Sequence, residues 1–315
     1  MATYQTYTSI GNREDLSDMI YDISPTDTPF MSSIGKGKAT AVYHEWQTDS
    51  LAAATLSNAA VEGATASDAT LAPTTRIGNR TQISQKTIKI AGTLEAIDKA
   101  GRKSEKAYQL AKASAEIKRD METILLSNQV ASAGNASTAR TLGGLQTWIG
   151  ANGDFGSGGS TGSGGTTART SGTDRTFTET ILKTVIKEVF EAGGNPKILM
   201  VNPGHKQVAS TFAGIAQQRY DVGSAKATTI IGAADFYLSD FGKVAVVPNR
   251  FMTSTNACAD AAFVLDPEMA SVDYLRPFQT SELAKTGDAE VSQLLVEYTL
   301  RVNSPLAHGI CADLT

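Results

Sequence analysis

The sequence predicts an α+β fold, on three observations. A single long helical pattern runs from Ser104 to Gln129, residues 1–103 ahead of it hold no comparable helix, and short strands and helices alternate from 176 to 280. Helical and extended stretches sorted along a chain in this way pack as layers around a shared core. The long helix carries Ala107, Leu110, Ile117, Met121, Ile124 and Leu125 at spacings of three and four, with no Gly or Pro inside it. That stripe marks one buried face of a 3.6-residue helix. Lys106, Lys112, Glu116, Arg119, Asp120 and Glu122 are expected to fill its remaining surface. Ser104 is placed to cap the N-terminus, with Glu105 in the first turn where a carboxylate suits the helix dipole. Such a rod is about 37 Å long at ~1.5 Å per residue. Its stripe is too short for a sustained heptad, which argues against a coiled coil.

Residues 1–39 read as an arm. The stretch 13–23 (REDLSDMIYDI) has a short helical pattern that stops at Ser24-Pro25, because the residue before proline is pushed out of the α region. SPTDTPFM (24–31) reads as turn-rich and extended, and GKGK (35–38) as a further break. Residues 39–49 alternate, with Val42, His44 and Trp46 on one face of a strand. Residues 51–75 are small and polar, with nine alanines, and 79–92 returns to Thr- and Ile-rich β sequence. The simplest organisation is a long two-stranded excursion with a loose tip. An isolated two-stranded ribbon is marginal in water, so it is expected to rest on another subunit.

Beyond the helix, 140–150 (RTLGGLQTWIG) reads as a strand with a glycine turn, and 153–174 as a flexible Gly/Ser/Thr-rich boundary. An amphipathic helix at 177–194 follows, closed by Gly193-Gly194, then a buried strand at 197–203 and a short helix at 204–214. A hairpin across Asp240–Gly242 and strands at 261–267, 271–278, 290–305 and 308–314 complete the chain.

Charge narrows the function classes. The net charge is −4, against the basic balance usual in sequence-reading nucleic-acid binders. Residues 1–50 carry three basic and seven acidic side chains, whereas 69–94 holds Arg76, Arg80, Lys86 and Lys89 without an acid. Opposite segments of this kind can meet within or between subunits, or stay as solvated faces. Glu14, Asp15 and Asp18 on the arm, and Trp46, Arg76 and Arg80 on the ribbon, are therefore candidates for inter-subunit contact. No apolar run approaches a membrane span, and residues 1–15 lack the features of a signal peptide. Cys258 and Cys311 are expected as free thiols.

Catalytic chemistry does not assemble. His44, His205 and His308 lie far apart, with no second ligand at metal spacing. Gly158–Gly162 matches GxSxG but lacks the strand and helix that build a nucleophile elbow. Ser33–Lys36 matches SxxK without partner motifs, and the sequons at Asn79 and Asn135 need a secretory route to matter. Asp266 and Glu268 suit turn chemistry. No catalytic residue, cofactor or metal is expected.

Several stretches together carry a resemblance: 13–37 (REDLSDMIYDISPTDTPFMSSIGKG), 44–51 (HEWQTDSL), 115–129 (AEIKRDMETILLSNQ), 140–149 (RTLGGLQTWI), 247–251 (VPNRF), 274–278 (YLRPF) and 283–288 (LAKTGD). In this order they resemble a major capsid protein of a tailed double-stranded DNA phage with the Hong Kong 97-type fold. Within that fold the chain is similar to the phage SU-ten major capsid protein group. The resemblance implies an N-arm at 1–39, an extended loop at 40–95 and a peripheral domain from 96–152 and 281–315 with the spine helix 104–129. It also implies a flexible loop at 153–175 and an axial domain at 176–280. It further implies pentamers and hexamers of an icosahedral virion shell around double-stranded DNA, made in the bacterial cytoplasm, with a portal and a separate scaffolding protein. The lysine–asparagine crosslink of some relatives finds no matching residues here. Two alternatives stay open: a bacterial nanocompartment shell of the same fold, and an α/β enzyme with an unrecognised site.

Overall fold

The computed structural model describes residues 24–63, 65, 68, 69, 71–98, 101–212, 236–285 and 287–315. The helical pattern expected at 13–23 lies outside them.

Helix α1 (Pro29–Ser33) opens the described chain, with Pro29 in the first turn, where its missing N–H costs nothing. This corrects the extended reading at 29–31, whereas 24–28 are in no regular element. Strand β1 (Gly35–Lys38) then pairs in parallel with β10 (Ala270–Leu283), Gly35 beside Ser271 and Lys38 beside Tyr274. The Gly-Lys repeat that reads as a break is thus an edge strand. All four of its residues are exposed, so no apolar alternation betrays it.

Strands β2 (Tyr43–Thr48) and β3 (Thr75–Arg80) form the expected two-stranded ribbon, Tyr43 opposite Arg80 and Thr48 opposite Thr75. The return strand does not run through to 92 as one piece. It breaks at Thr81, and β4 (Gln82–Ala91) joins a second sheet, antiparallel to β11 (Ala289–Val302). That sheet has the order β1-β10-β11-β4. The register of the β10–β11 hairpin shifts on either side of Arg276, where Pro277 follows. A short helix, α2 (Gly92–Ala96), leads into α3 (Glu105–Leu126).

Helix α3 is the expected long rod. Its 22 residues span ~33 Å, and Ser104 Oγ accepts from Ala107 N as the N-cap. Ile117, Met121, Leu125 and Leu126 are each fully or almost fully buried, worth about 2 kcal/mol apiece. The charged face is not all surface: Glu105 and Glu122 are buried. Lys86 Nζ on β4 lies 2.7 Å from Glu116 and 3.5 Å from Asp120, and its ammonium holds the Glu116 carboxyl below the usual range. Lys106 Nζ reaches Glu282 and Glu290 at 2.6 and 3.2 Å across the long hairpin.

A six-stranded sheet forms the other part of the molecule. It takes β5 (Gly153–Asp154), β6 (Ile198–Val201), β7 (Phe236–Ser239), β8 (Gly242–Pro248), β9 (Ala262–Leu265) and β12 (Gly309–Cys311), in the order β5-β12-β9-β6-β8-β7. Helices α4 (Glu179–Glu191) and α5 (Pro203–Ala209) cover one face. Alternation divides each strand between two cores. Leu199, Val201, Ala262, Val264 and Cys311 pack with α4, whereas Met200, Phe263, Leu265 and Ile310 pack with α3 and the ribbon root. Cys258 and Cys311 are free, buried and in different clusters, and burial pushes both thiols up. Sheet membership cuts across the expected boundaries: within 281–315, β11 belongs to the four-stranded sheet and β12 to the six-stranded one, and β10 starts at 270.

Two stretches differ from expectation. Residues 140–150 form no regular strand; they make one isolated bridge (Ser132 with Thr141) and a 3-10 turn at Leu145–Thr147, with Leu145, Trp148 and Ile149 buried. Residues 153–174 are folded on themselves through the bridges Ser160–Thr170 and Ser163–Thr167. Gly165, at φ +74°, lies against the Trp148 ring, where a Cβ would approach to 2.7 Å.

Candidate assembly surfaces

The ribbon's root is fixed by buried polar groups. Asn79 is fully buried; its Nδ2 donates to Gly143 O at 3.0 Å and Leu300 O at 2.8 Å, and its Oδ1 accepts from Gly143 N at 2.8 Å. Thr81 Oγ1 donates to Glu297 Oε1 at 2.9 Å, and Thr81 O accepts from Arg140 Nε at 2.5 Å. Glu297, almost fully buried, also takes Arg140 and, at 2.8 Å, Arg276 Nε. One carboxylate therefore gathers β10, β11, the 140s loop and the residue between β3 and β4. In the sequence Asn79 is visible only as a sequon; nothing local to it signals two carbonyl partners 64 and 221 residues away.

Trp46, a candidate for contact between subunits, is buried within its own chain. Its ring centroid lies 5.5 Å from that of Trp148, and Arg301 stands over it at 6.0 Å. The alternation of 39–49 correctly gives it a face, and that face is the chain's own core. His44 Nε2 lies 2.8 Å from the buried Asp273. Of the arginines, Arg76 pairs with Glu45 at 3.0 Å across the ribbon and remains well exposed, while Arg80 stacks over Tyr43 at 5.0 Å. Glu14, Asp15 and Asp18 lie outside the described residues.

Besides the pairing of β1 with β10, the described arm is held by a carboxylate of the long helix. Glu122 accepts from Phe30 N at 2.7 Å, Met31 N at 2.9 Å and Asn249 Nδ2 at 2.7 Å. Burial pushes its carboxyl up, against the pull of those three donors. The Gly-rich loop has a comparable pin in Arg169, which donates to Asp313 at 2.9 Å, Asp260 at 2.8 Å and Gln146 at 3.0 Å. Composition alone marks this loop as loose, and the buried Arg169 guanidinium ties it to Asp260 and Asp313.

The ribbon's far end is different in kind. Every described residue from 49 to 74 is exposed, and none is in a strand or helix. Four large apolar side chains stand there in solvent: Leu51, Leu56, Val61 and Leu71. A monomeric soluble chain seldom presents such a segment without a partner surface. Among the described residues no group of three His, Cys, Asp or Glu side chains is arranged to hold a metal. His205 and His308 bond to the backbone carbonyls of Ala259 and Met269.

An arm clamped on a long helix, a ribbon with an unpartnered tip, a long-stranded sheet and a second sheet under two helices define a Hong Kong 97-type shell protein. The fold is similar to that of a chain of the cyanophage A-1(L) capsid asymmetric unit, with a TM-score of 0.69 at 11% identity, over 96% of this chain and 97% of that one. The capsid of the native GTA particle matches with a TM-score of 0.62 at 12% identity, over 98% and 97%. The SrpI encapsulin of Synechococcus elongatus PCC 7942 matches with a TM-score of 0.55 at 11% identity, over 96% and 92%. The chain belongs to the SU10 major capsid protein family, whose model matches residues 2–315. The major capsid protein of Escherichia phage Phieco32 is 28% identical over 348 residues, covering 98% of this chain and 96% of that protein. Its work is structural: it is a major capsid protein of a phage head.

Proposed function

We propose that copies of this chain form pentamers and hexamers that close into an icosahedral head around double-stranded DNA. A portal and a separate scaffolding protein are its partners in that assembly. The carrying observation is the ribbon, rooted in its own subunit by Asn79, Trp46 and Glu297 and exposed at every described residue from 49 to 74. The four-stranded sheet with α3 serves as the peripheral part of the tile and the six-stranded sheet as the axial part. Arg76, exposed at the ribbon edge, meets the arm acids Glu14, Asp15 and Asp18 of another copy, exchanging its Glu45 partner for them. Trp46 contributes by holding the ribbon at its root. A net charge of −4 suits a container whose contents must slide, since it offers DNA no net attraction.

Electron microscopy and sedimentation of the chain produced in bacteria, with and without the scaffolding protein, test this. Closed shells are expected; uniform 33.1 kDa monomers under both conditions overturn the reading. The encapsulin likeness extends to the fold alone, and shells that load protein cargo and carry no portal would favour that alternative.

A further inference from the structure

Between the arm, the long helix and the long hairpin lies a groove of about 520 Å³. Met31, Tyr274 and Phe278 give it apolar walls, Thr28 also lines it, and Lys36 and Lys118 bring two ammonium groups to it. Both lysines are exposed, and neither has an ion-pair partner among the described residues. The Tyr274 and Phe278 rings, half-buried and 6.5 Å apart, make the hairpin side an aromatic wall. Such a surface suits an occupant that is apolar on one side and acidic beside it. A phosphate backbone would meet the lysines but leave the aromatic wall unused.

The chain carries such a segment immediately upstream of the groove. Residues 13–23 hold four acids against one base, Arg13, and their helical pattern gathers Leu16, Met19, Ile20 and Ile23 on one side. On a helix Asp15 and Asp22 fall on the flank beside Met19, ~10 Å apart along the axis, while Glu14 and Asp18 fall opposite the apolar side. Two carboxylates at that spacing suit two lysines that line one groove. Five residue steps separate Ile23 from Thr28, at most ~17 Å of chain. A tether this short holds the segment at an effective concentration on the order of millimolar, well above that of another copy before assembly. We infer that residues 13–23 seat in the α1–β1–α3–β10 groove of their own chain, their apolar side on Met31 and the aromatic wall, with Asp15 and Asp22 on Lys36 and Lys118. Apolar contact supplies the attraction, and the ion pairs fix which way the segment lies. The seat turns Glu14 and Asp18 outward, so these two are the arm acids left for Arg76 of another copy. The arm is thus positioned by its own subunit before it meets a neighbour, and the seat does not depend on shell closure.

Zero-length crosslinking of unassembled subunits tests it. Equal amounts of unlabelled and isotope-labelled chains are mixed at low concentration, treated with a carbodiimide and digested for mass spectrometry. An amide joining Asp15 or Asp22 to Lys36 or Lys118 is expected, always between peptides of the same isotope. In parallel, Lys36→Glu with Lys118→Glu is expected to speed amide hydrogen exchange across residues 16–23 by roughly tenfold or more while leaving subunit melting unchanged. Adding Asp15→Lys with Asp22→Lys is expected to restore the slow rate. No such crosslink, together with exchange untouched by the lysine reversal, overturns the seat. Crosslinks between unlike isotopes overturn it in favour of an arm lent by another copy. Crosslinks from the two lysines to added scaffolding protein overturn it in favour of a scaffold segment. Chains that seat the arm yet never close into shells support the seat and overturn the shell reading alone.

Discussion

At its root the ribbon presents Trp46 and Asn79 to the interior, 7% and 0% exposed, whereas at its tip Leu51 and Leu56 are 99% and 107% exposed. The same two-stranded element thus obeys the packing rules of a core at one end and of an interface at the other. Side chains at the root have found partners in cis: the Trp148 ring packs at a tilt against Trp46, and the Asn79 amide satisfies two carbonyls. Those at the tip have none among the described residues, and the stretch around them is rich in alanine, serine and threonine, which bury too little area to fold alone. Damage at the root should therefore be felt as lost subunit stability, and damage at the tip only as lost assembly.

Trp46→Ala gives the largest expected effect on the subunit, a loss of about 4 kcal/mol from the vacated core site, read by equilibrium denaturation of unassembled protein. A loss under about 1 kcal/mol would show that the root is not core. Acid should come next. Burial holds His308 down at about 4 from 6.5, so the unfolded chain binds the extra proton between those values. The stability His308 contributes is complete above pH 6.5 and is lost as pH falls through about 4, by about 3 kcal/mol in all. A His308→Gln subunit should lose that part of the acid slope, as denaturant midpoints across pH 7 to 4 will show. Asn79→Ala strands two carbonyls and an amide at the ribbon root. It should cost about 2 kcal/mol by denaturation, with the ribbon's amides losing hydrogen-exchange protection first. Leu56→Ser should be the smallest, within ~0.5 kcal/mol for the subunit, while shell yield by sedimentation falls. Equal damage to monomer and shell from this last change would erase the distinction between the two ends.

Much of the fold is legible in the sequence where one local rule dominates. The long helix has its cap at Ser104 and its stripe through Leu125, and the 236–248 hairpin has its glycine turn at Gly242. The ribbon follows from the alternation around Trp46. What stays hidden is decided by residues distant in the chain. Glu122 has the pattern of a surface charge on a helix and is instead buried under the arm's amides. Gly35–Lys38 has the composition of a break, and becomes a strand because β10 offers it an edge. Residues 153–174 have the composition of a linker, and Arg169 ties them to Asp260 and Asp313. Trp46 is conspicuous enough to suggest an interface, yet its face of the strand meets Trp148.

Thr81 alone separates β3 of the ribbon from β4 of the four-stranded sheet. In mechanical terms, it is one of two points at which the chain carries load from the ribbon into the subunit, the other being residues 39–42 between β1 and β2. A pull at the tip passes along β3 into β4, whose antiparallel register with β11 runs from Gln82–Tyr298 to Ala91–Ala289. Such a pull shears that ladder along its length, loading its hydrogen bonds together instead of opening them one by one. A shell of these tiles would then yield at the seams between subunits before the tile itself comes apart.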